Sequence, residues 1–74
     1  QLTITTLEAP EILDQMRRVI EKHGRIGTGI SIHKDLRHKR DKFVMTFKMK
    51  EGGKIDEMLS ELSTVEGVRV IHFE

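Results

Sequence analysis

Lys42-Phe43-Val44-Met45-Thr46-Phe47-Lys48-Met49-Lys50 reads as a strand, and its pattern decides the fold. Side chains on a strand point to opposite faces in turn. Phe43, Met45, Phe47 and Met49 therefore share one face, and Val44, Thr46, Lys48 and Lys50 share the other. A strand that is apolar on one side only belongs in an antiparallel sheet covered on that side only. The cover has to come from the rest of the 74 residues.

Downstream, Gly52-Gly53 breaks the chain. Ile55, Met58, Leu59, Leu62 and Val65 then recur at helical spacing, in a helix that stops before Gly67. Residues 68–73 (Val-Arg-Val-Ile-His-Phe) make a last strand with apolar groups on both faces. Upstream, residues 34–42 are polar and read as a turn. Before them Ile26–His33 alternates as a strand, with Gly27 and Gly29 permitting a bulge. Ile12, Leu13, Met16, Val19 and Ile20 form one apolar helical stripe that ends at His23-Gly24, with Gly24 expected in the left-handed C′ position. Leu7-Glu8-Ala9-Pro10-Glu11-Ile12-Leu13 turns the first strand (residues 2–7) into that helix, with Pro10 expected at the first helical position.

The order is βαββαβ. Each helix has a single apolar stripe, so both must lie on one face of a four-stranded antiparallel sheet. Two interleaved right-handed βαβ units give an α+β ferredoxin-like sandwich. The chain reads as one domain over residues 1–74. It opens with Gln1 rather than Met, which is expected of a piece of a longer protein. A domain this small has a stability of about 4–11 kcal/mol, so a partner that buries more apolar surface would help it.

Composition narrows the chemistry. The chain has no Cys, Asn, Tyr or Trp, so disulfides, thiolate nucleophiles and zinc-finger frameworks are excluded. No apolar run approaches the length of a membrane span. Residues 1–50 hold eleven Lys/Arg against six Asp/Glu, a balance of +5. Residues 51–74 hold two against six, a balance of −4. A basic half beside an acidic half favours self-association or docking over a uniformly nucleic-acid-like surface.

The uncovered sheet face is the expected contact. It should show Thr3, Thr5, Leu7, Ser31, His33, Val44 and Thr46, with Ile71 and Phe73 from the last strand. Thr5, Val44, Ile71 and Phe73 are the expected interface residues, since a last strand apolar on both sides needs cover on both sides. No metal site is expected. His23, His33, His38 and His72 show no i,i+4 pair, and His33 and His38 read as solvated groups flanking a loop. No cofactor and no catalysis are expected either. Glu8, Glu11 and Asp14 at the helix start complement its dipole, and nothing sets a nucleophile beside a base. Phe43–Phe47 faintly resembles the third-strand motif of RNA-recognition domains. The first strand, however, offers Thr3 and Thr5 where a stacking ring belongs, so no nucleic-acid partner is expected. The 33–42 loop, with five Lys/Arg and two Asp, reads as a solvated hairpin tip or as a contact for an anionic lipid, an acidic protein patch or a neighbouring acidic helix.

Three stretches resemble the ACT-like domains. These are the turn Glu8-Ala9-Pro10-Glu11-Ile12-Leu13, the helix end His23-Gly24-Arg25-Ile26 followed by Gly29-Ile30-Ser31-Ile32, and the close Leu59–Val70 around Gly67-Val68. The resemblance implies a βαββαβ regulatory domain that binds a small effector at the turn, here Glu8, Pro10, Glu11 and Ile12. The family's turn glycine is replaced by Glu11, which implies a closed pocket. A domain of this fold without that glycine is similar to the C-terminal cytoplasmic domain of the bacterial MgtC/SapB membrane proteins. That resemblance implies a non-catalytic module linked to magnesium transport, on the cytoplasmic side of the inner membrane. It would self-associate or dock on its parent and meet the membrane only through that parent. The alternative it implies is an amino-acid-sensing ACT domain attached to an enzyme.

Overall fold

The computed structural model describes residues Gln1–Glu74. The elements run β1 (Leu2–Leu7), α1 (Ile12–His23), β2 (Gly24–Asp35), β3 (Arg40–Met49), α2 (Ile55–Leu62) and β4 (Val68–Phe73). The strands form one antiparallel sheet in the order β2-β3-β1-β4. Each helix joins two strands that flank a third, which is the interleaving of the α+β ferredoxin-like fold.

The alternation along β3 is kept in three dimensions. Phe43 and Met45 are buried on the helix-covered face, beside Leu2 and Ile4 of β1. Ile12, Met16 and Ile20 of α1 and Met58 and Leu62 of α2 complete a core of nine apolar side chains. Each such side chain contributes about 1.5–3 kcal/mol on burial. The unbranched methionines among them fill the irregular space between helix and sheet.

Several local details depart from the sequence reading. α1 begins at Ile12, with Glu11 as its N-cap. Pro10 therefore lies in the preceding turn rather than at the first helical position. Gly24 is extended (φ 174°) and opens β2 directly. Its role is steric rather than conformational, because a Cβ there would collide with the Lys48 carbonyl and the Phe47 ring. α2 stops at Leu62, short of Val65. Ser63 Oγ donates to the Ser60 carbonyl and Thr64 Oγ1 to the Glu61 carbonyl, both at 2.6 Å. Such hydroxyls compete for backbone acceptors and favour a helix end.

Two bulges set which side chains face the core. Between Ile26, opposite Phe47, and Ile30, opposite Met45, residues 27–29 loop out of register. Ile26, Ile30 and Ile32 thus stay on the covered face although the two glycines interrupt the strand. On β4 the register shifts between Thr5 and Thr6, so that Val70 opposes Thr5, Val68 opposes Thr6 and Arg69 is the extra residue. Val68 and Ile71, three residues apart, consequently share the covered face.

Candidate functional site

The β4 bulge overturns part of the expected interface. Ile71 opposes the buried Ile4 and packs against the core, and Phe73 opposes Leu2. Phe73 meets Phe47 edge-on, with ring centroids 6.3 Å apart. Both residues lie on the helix-covered side, not on the open face. A strict alternation over residues 68–73 misassigns them because one bulged residue inverts the pleat. Val70 and His72 take their place on the open face.

Thr5 and Val44 do lie on the open face, and the sheet brings them together. Val44 stands between Thr3 on β1 and Ser31 on β2. Thr5 stands between Lys42 and Val70. Val70 is 54% exposed and Leu7 is 37% exposed, giving the centre of this face a shallow apolar stripe. Cations surround it. Arg25 opposes Lys48, Lys42 opposes Thr5, and Arg40 opposes Leu7. Asp35, opposite Arg40 on the other side, is the one strand acid among them. Arg25 and Lys48, which face each other across β2 and β3, repel, a tension that an anionic partner would relieve.

The Leu7–Leu13 turn lines a cleft of about 360 Å³. Leu7, Glu8, Ala9, Pro10, Glu11, Ile12 and Gln15 form one wall, and Glu66, Gly67 and Arg69 form the other. Glu11 is exposed and makes no side-chain cap bond, so it does not fill the space. The turn whose effector pocket was expected to be closed thus borders a surface cleft that Glu11 helps to line. A glycine does permit close approach here, from the opposite wall. Gly67 has φ 98°, and a Cβ on it would lie 2.8 Å from Ile12 Cδ1. Its carbonyl accepts the Leu7 N–H at 2.8 Å. Glu66 and Arg69 escaped the sequence reading because they come from a part of the chain distant from the turn, and Gln15 because it lies one turn into α1, past the turn itself. The Gly67-Val68 ending was the only signal of that wall. Three carboxylates (Glu8, Glu11, Glu66) and one guanidinium (Arg69) make the cleft acidic, and Lys34 Nζ stands 3.7 Å from Glu8 Oε2 at its edge.

A larger hollow of about 420 Å³ lies at the far end of the sheet, between Glu21, Gly24 and Arg25 and the stretch Lys48–Glu51. Its charged lining alternates in sign without converging on one point, so it reads as a solvated junction between elements.

The β2–β3 hairpin tip is tightly organised. Asp35 Oδ1 accepts the N–H groups of Arg37 (3.1 Å) and His38 (3.2 Å). Asp35 Oδ2 meets His38 Nδ1 at 2.8 Å. The His38 hydrogen bonds hold the Asp35 carboxyl below its ordinary value. Lys39 completes the turn in the left-handed region (φ 53°), and its carbonyl accepts the Glu8 N–H at 3.1 Å.

Two further polar clusters are structural. Glu61 of α2 binds Lys22 and, at 3.0 Å, His23 Nε2 of α1, tying the helices together. The Lys22 bond, followed by the His23 bond, holds the Glu61 carboxyl below its ordinary value. Thr6 and Asp41 oppose each other across β1 and β3, both buried. A hydroxyl beside a carboxylate is half of a nucleophile pair, but this one is sealed from solvent. Asp41 is answered by Lys34, whose Nζ is 3.2 Å from Oδ1. Neither Thr6 Oγ1 nor Asp41 Oδ1 has a hydrogen-bond partner, the Lys34 hydrogen bond going to Asp41 Oδ2 at 3.5 Å. No three His, Asp or Glu side chains converge as metal ligands would. No helix is long and apolar enough to cross a membrane.

No protein-family model matches the chain, and no curated protein matches it.

Proposed function

We propose that the chain is a non-catalytic interaction module that docks through its open sheet face onto an acidic surface. The observation that carries this reading is the Thr3, Thr5, Val44 and Val70 stripe ringed by Arg25, Lys42 and Lys48 on a face no helix covers. Pairing of this face with itself would oppose like charges, so the partner surface is of opposite sign. Asp56 and Glu57, in the first turn of α2, offer such a surface on a neighbouring copy. The remainder of a longer protein is the other source. The ACT-like and MgtC/SapB resemblance favours that second source, as the cytoplasmic C-terminal domain of a bacterial membrane protein linked to magnesium transport.

The test is solution mass from micromolar to millimolar concentration at low and high salt, with amide shifts reporting the surface. Salt-sensitive association that perturbs Thr5, Val44 and Val70, and that is lost in Val44→Asp, supports docking on a copy. A strict monomer with unshifted amides excludes the copy. The same shifts are then sought in a longer chain.

The open cleft favours a second reading, an effector site of the amino-acid-sensing kind. Arg69 would meet a ligand carboxylate and the Glu8/Glu11/Glu66 wall its ammonium. Calorimetric titration with a panel of amino acids decides it. Saturable heat that disappears in Arg69→Ala supports the effector site, and silence removes it.

A further inference from the structure

The hairpin tip carries an exposed leucine that neither reading uses. Leu36 is the most exposed large apolar side chain in the protein, at 76%. An isolated exposed leucine is ordinary. This one projects from a turn fixed by the Asp35 hydrogen bonds and by the Lys39 tie to β1. The same hairpin carries Arg37, Lys39, Arg40 and Lys42, none of which forms an ion pair. Among the nearby acids, Asp35 is hydrogen-bonded to His38, and Glu8 and Asp41 both lie within 4 Å of Lys34 Nζ.

We propose that this tip docks on an anionic lipid bilayer, with Leu36 entering the interfacial region and the four unpaired cations resting on headgroup phosphates. The chemistry selects this occupant over other polyanions. A nucleic-acid strand would call for stacking rings, and all three phenylalanines lie on the helix-covered face. An exposed apolar tip on a hairpin rich in cations matches a surface whose charge lies above an apolar layer. The preformed turn lowers the ordering cost of docking. The binding is weak and reversible, because one leucine and four cations are a modest anchor.

The experiment sediments the chain with phosphatidylcholine vesicles that contain or lack phosphatidylserine. Binding is expected only with phosphatidylserine and should weaken with salt. Each cation near the surface is worth about fivefold in affinity, so Arg37→Glu with Lys39→Glu should reduce it by at least about 25-fold. Leu36→Ser should reduce it roughly tenfold without changing the circular dichroism. The chain has no Trp, so Leu36→Trp supplies a unique reporter whose emission should shift to the blue on anionic vesicles. Absence of vesicle binding overturns the proposal. Charge-dependent binding with a water-like Leu36→Trp emission, or tighter binding of a single-stranded oligonucleotide than of vesicles, also overturns it and assigns the cations to a soluble polyanion.

Discussion

The two faces of the sheet use the same strands for opposite ends. On β3, Phe43 and Met45 are buried under the helices while Val44, between them, is only half-buried and looks outward. On β1, Leu2 and Ile4 are sealed while Thr3 and Thr5 stay accessible. The covered face supplies stability through apolar area, and the open face holds the unpaired cations and a thin apolar stripe. Stability is thus separated by one residue of register from the docking role proposed for the open face, and substitutions at adjacent positions should fall into different classes.

The largest expected difference tests that separation directly. Met45→Ala removes a fully covered side chain and should cost about 2–5 kcal/mol. Val44→Ala should cost at most about 1 kcal/mol, the usual range for a partly exposed truncation. Urea unfolding of both variants measures the contrast. Equal losses would break the comparison, because they would mean that the open face is covered in solution.

Glycines sharpen it at the two bulged regions. Gly67 has a positive φ and faces Ile12 on the covered side, so Gly67→Ala should cost about 1–3 kcal/mol through backbone strain and displacement of that side chain. A Cβ on Gly29 would meet nothing within 4 Å. Gly29→Ala should therefore be neutral, or stabilising by about 0.4–1 kcal/mol through a less flexible unfolded chain. Thermal midpoints compare the two. A costly Gly29→Ala would place unrecognised packing over the β2 bulge.

A smaller effect belongs to the one charge that sits beneath the covered face. Lys34→Met leaves the buried Asp41 carboxylate without its cation. The loss should be about 1–2 kcal/mol, at the low end for an abandoned buried group because half of Lys34 is in water. Asp41→Asn combined with Lys34→Met should recover part of it. A double-mutant cycle on urea midpoints reads the coupling.

How much of this was legible beforehand follows from which forces are local. The alternation of β3, the stripes of α1 and α2 and the element order are encoded within single segments, and the ferredoxin-like sandwich emerges from them. β1 and β4 have the expected bounds because alternation and flanking breakers coincide there. What was not legible depends on pairing between distant segments. The Arg69 bulge is a property of the β1–β4 ladder, so it was invisible in residues 68–73 alone, and it carried Ile71 and Phe73 to the other face. The cleft shows the same limit. Glu11 suggested closure from one wall, while Gly67 and Arg69 formed the second wall from more than fifty positions away. Gly24 illustrates a third kind of miss, where the residue was identified and its reason was not. It is there for the Phe47 ring and the Lys48 carbonyl, which a local reading of a helix end does not contain.

The smallest effect comes from acid, and it separates the two faces once more. Glu61 joins the helices on the covered side, and Asp35 fastens the hairpin tip. Both carboxyls are held below their ordinary values by hydrogen bonds, Glu61 chiefly from Lys22 and then His23, and Asp35 chiefly from His38. A carboxyl whose folded pKa is depressed binds its proton more readily when unfolded. Its contribution is therefore fully present above the ordinary carboxylate range and is lost as the pH falls through the depressed folded value. Both groups meet water, so each contribution is small. Glu61→Gln should lower the thermal midpoint slightly at neutral pH, and the difference from the parent should vanish as the pH falls through the depressed folded value. Because α1 and α2 cover the core together, that loss should register in global unfolding. Asp35→Asn weakens the acceptor of the tip alone. It should loosen the amides of residues 36–39 in hydrogen exchange and leave the global midpoint almost unchanged. A global shift from Asp35→Asn would instead mean that the tip is part of the cooperative core, and the division of labour between the faces would have to be redrawn around the β2–β3 hairpin.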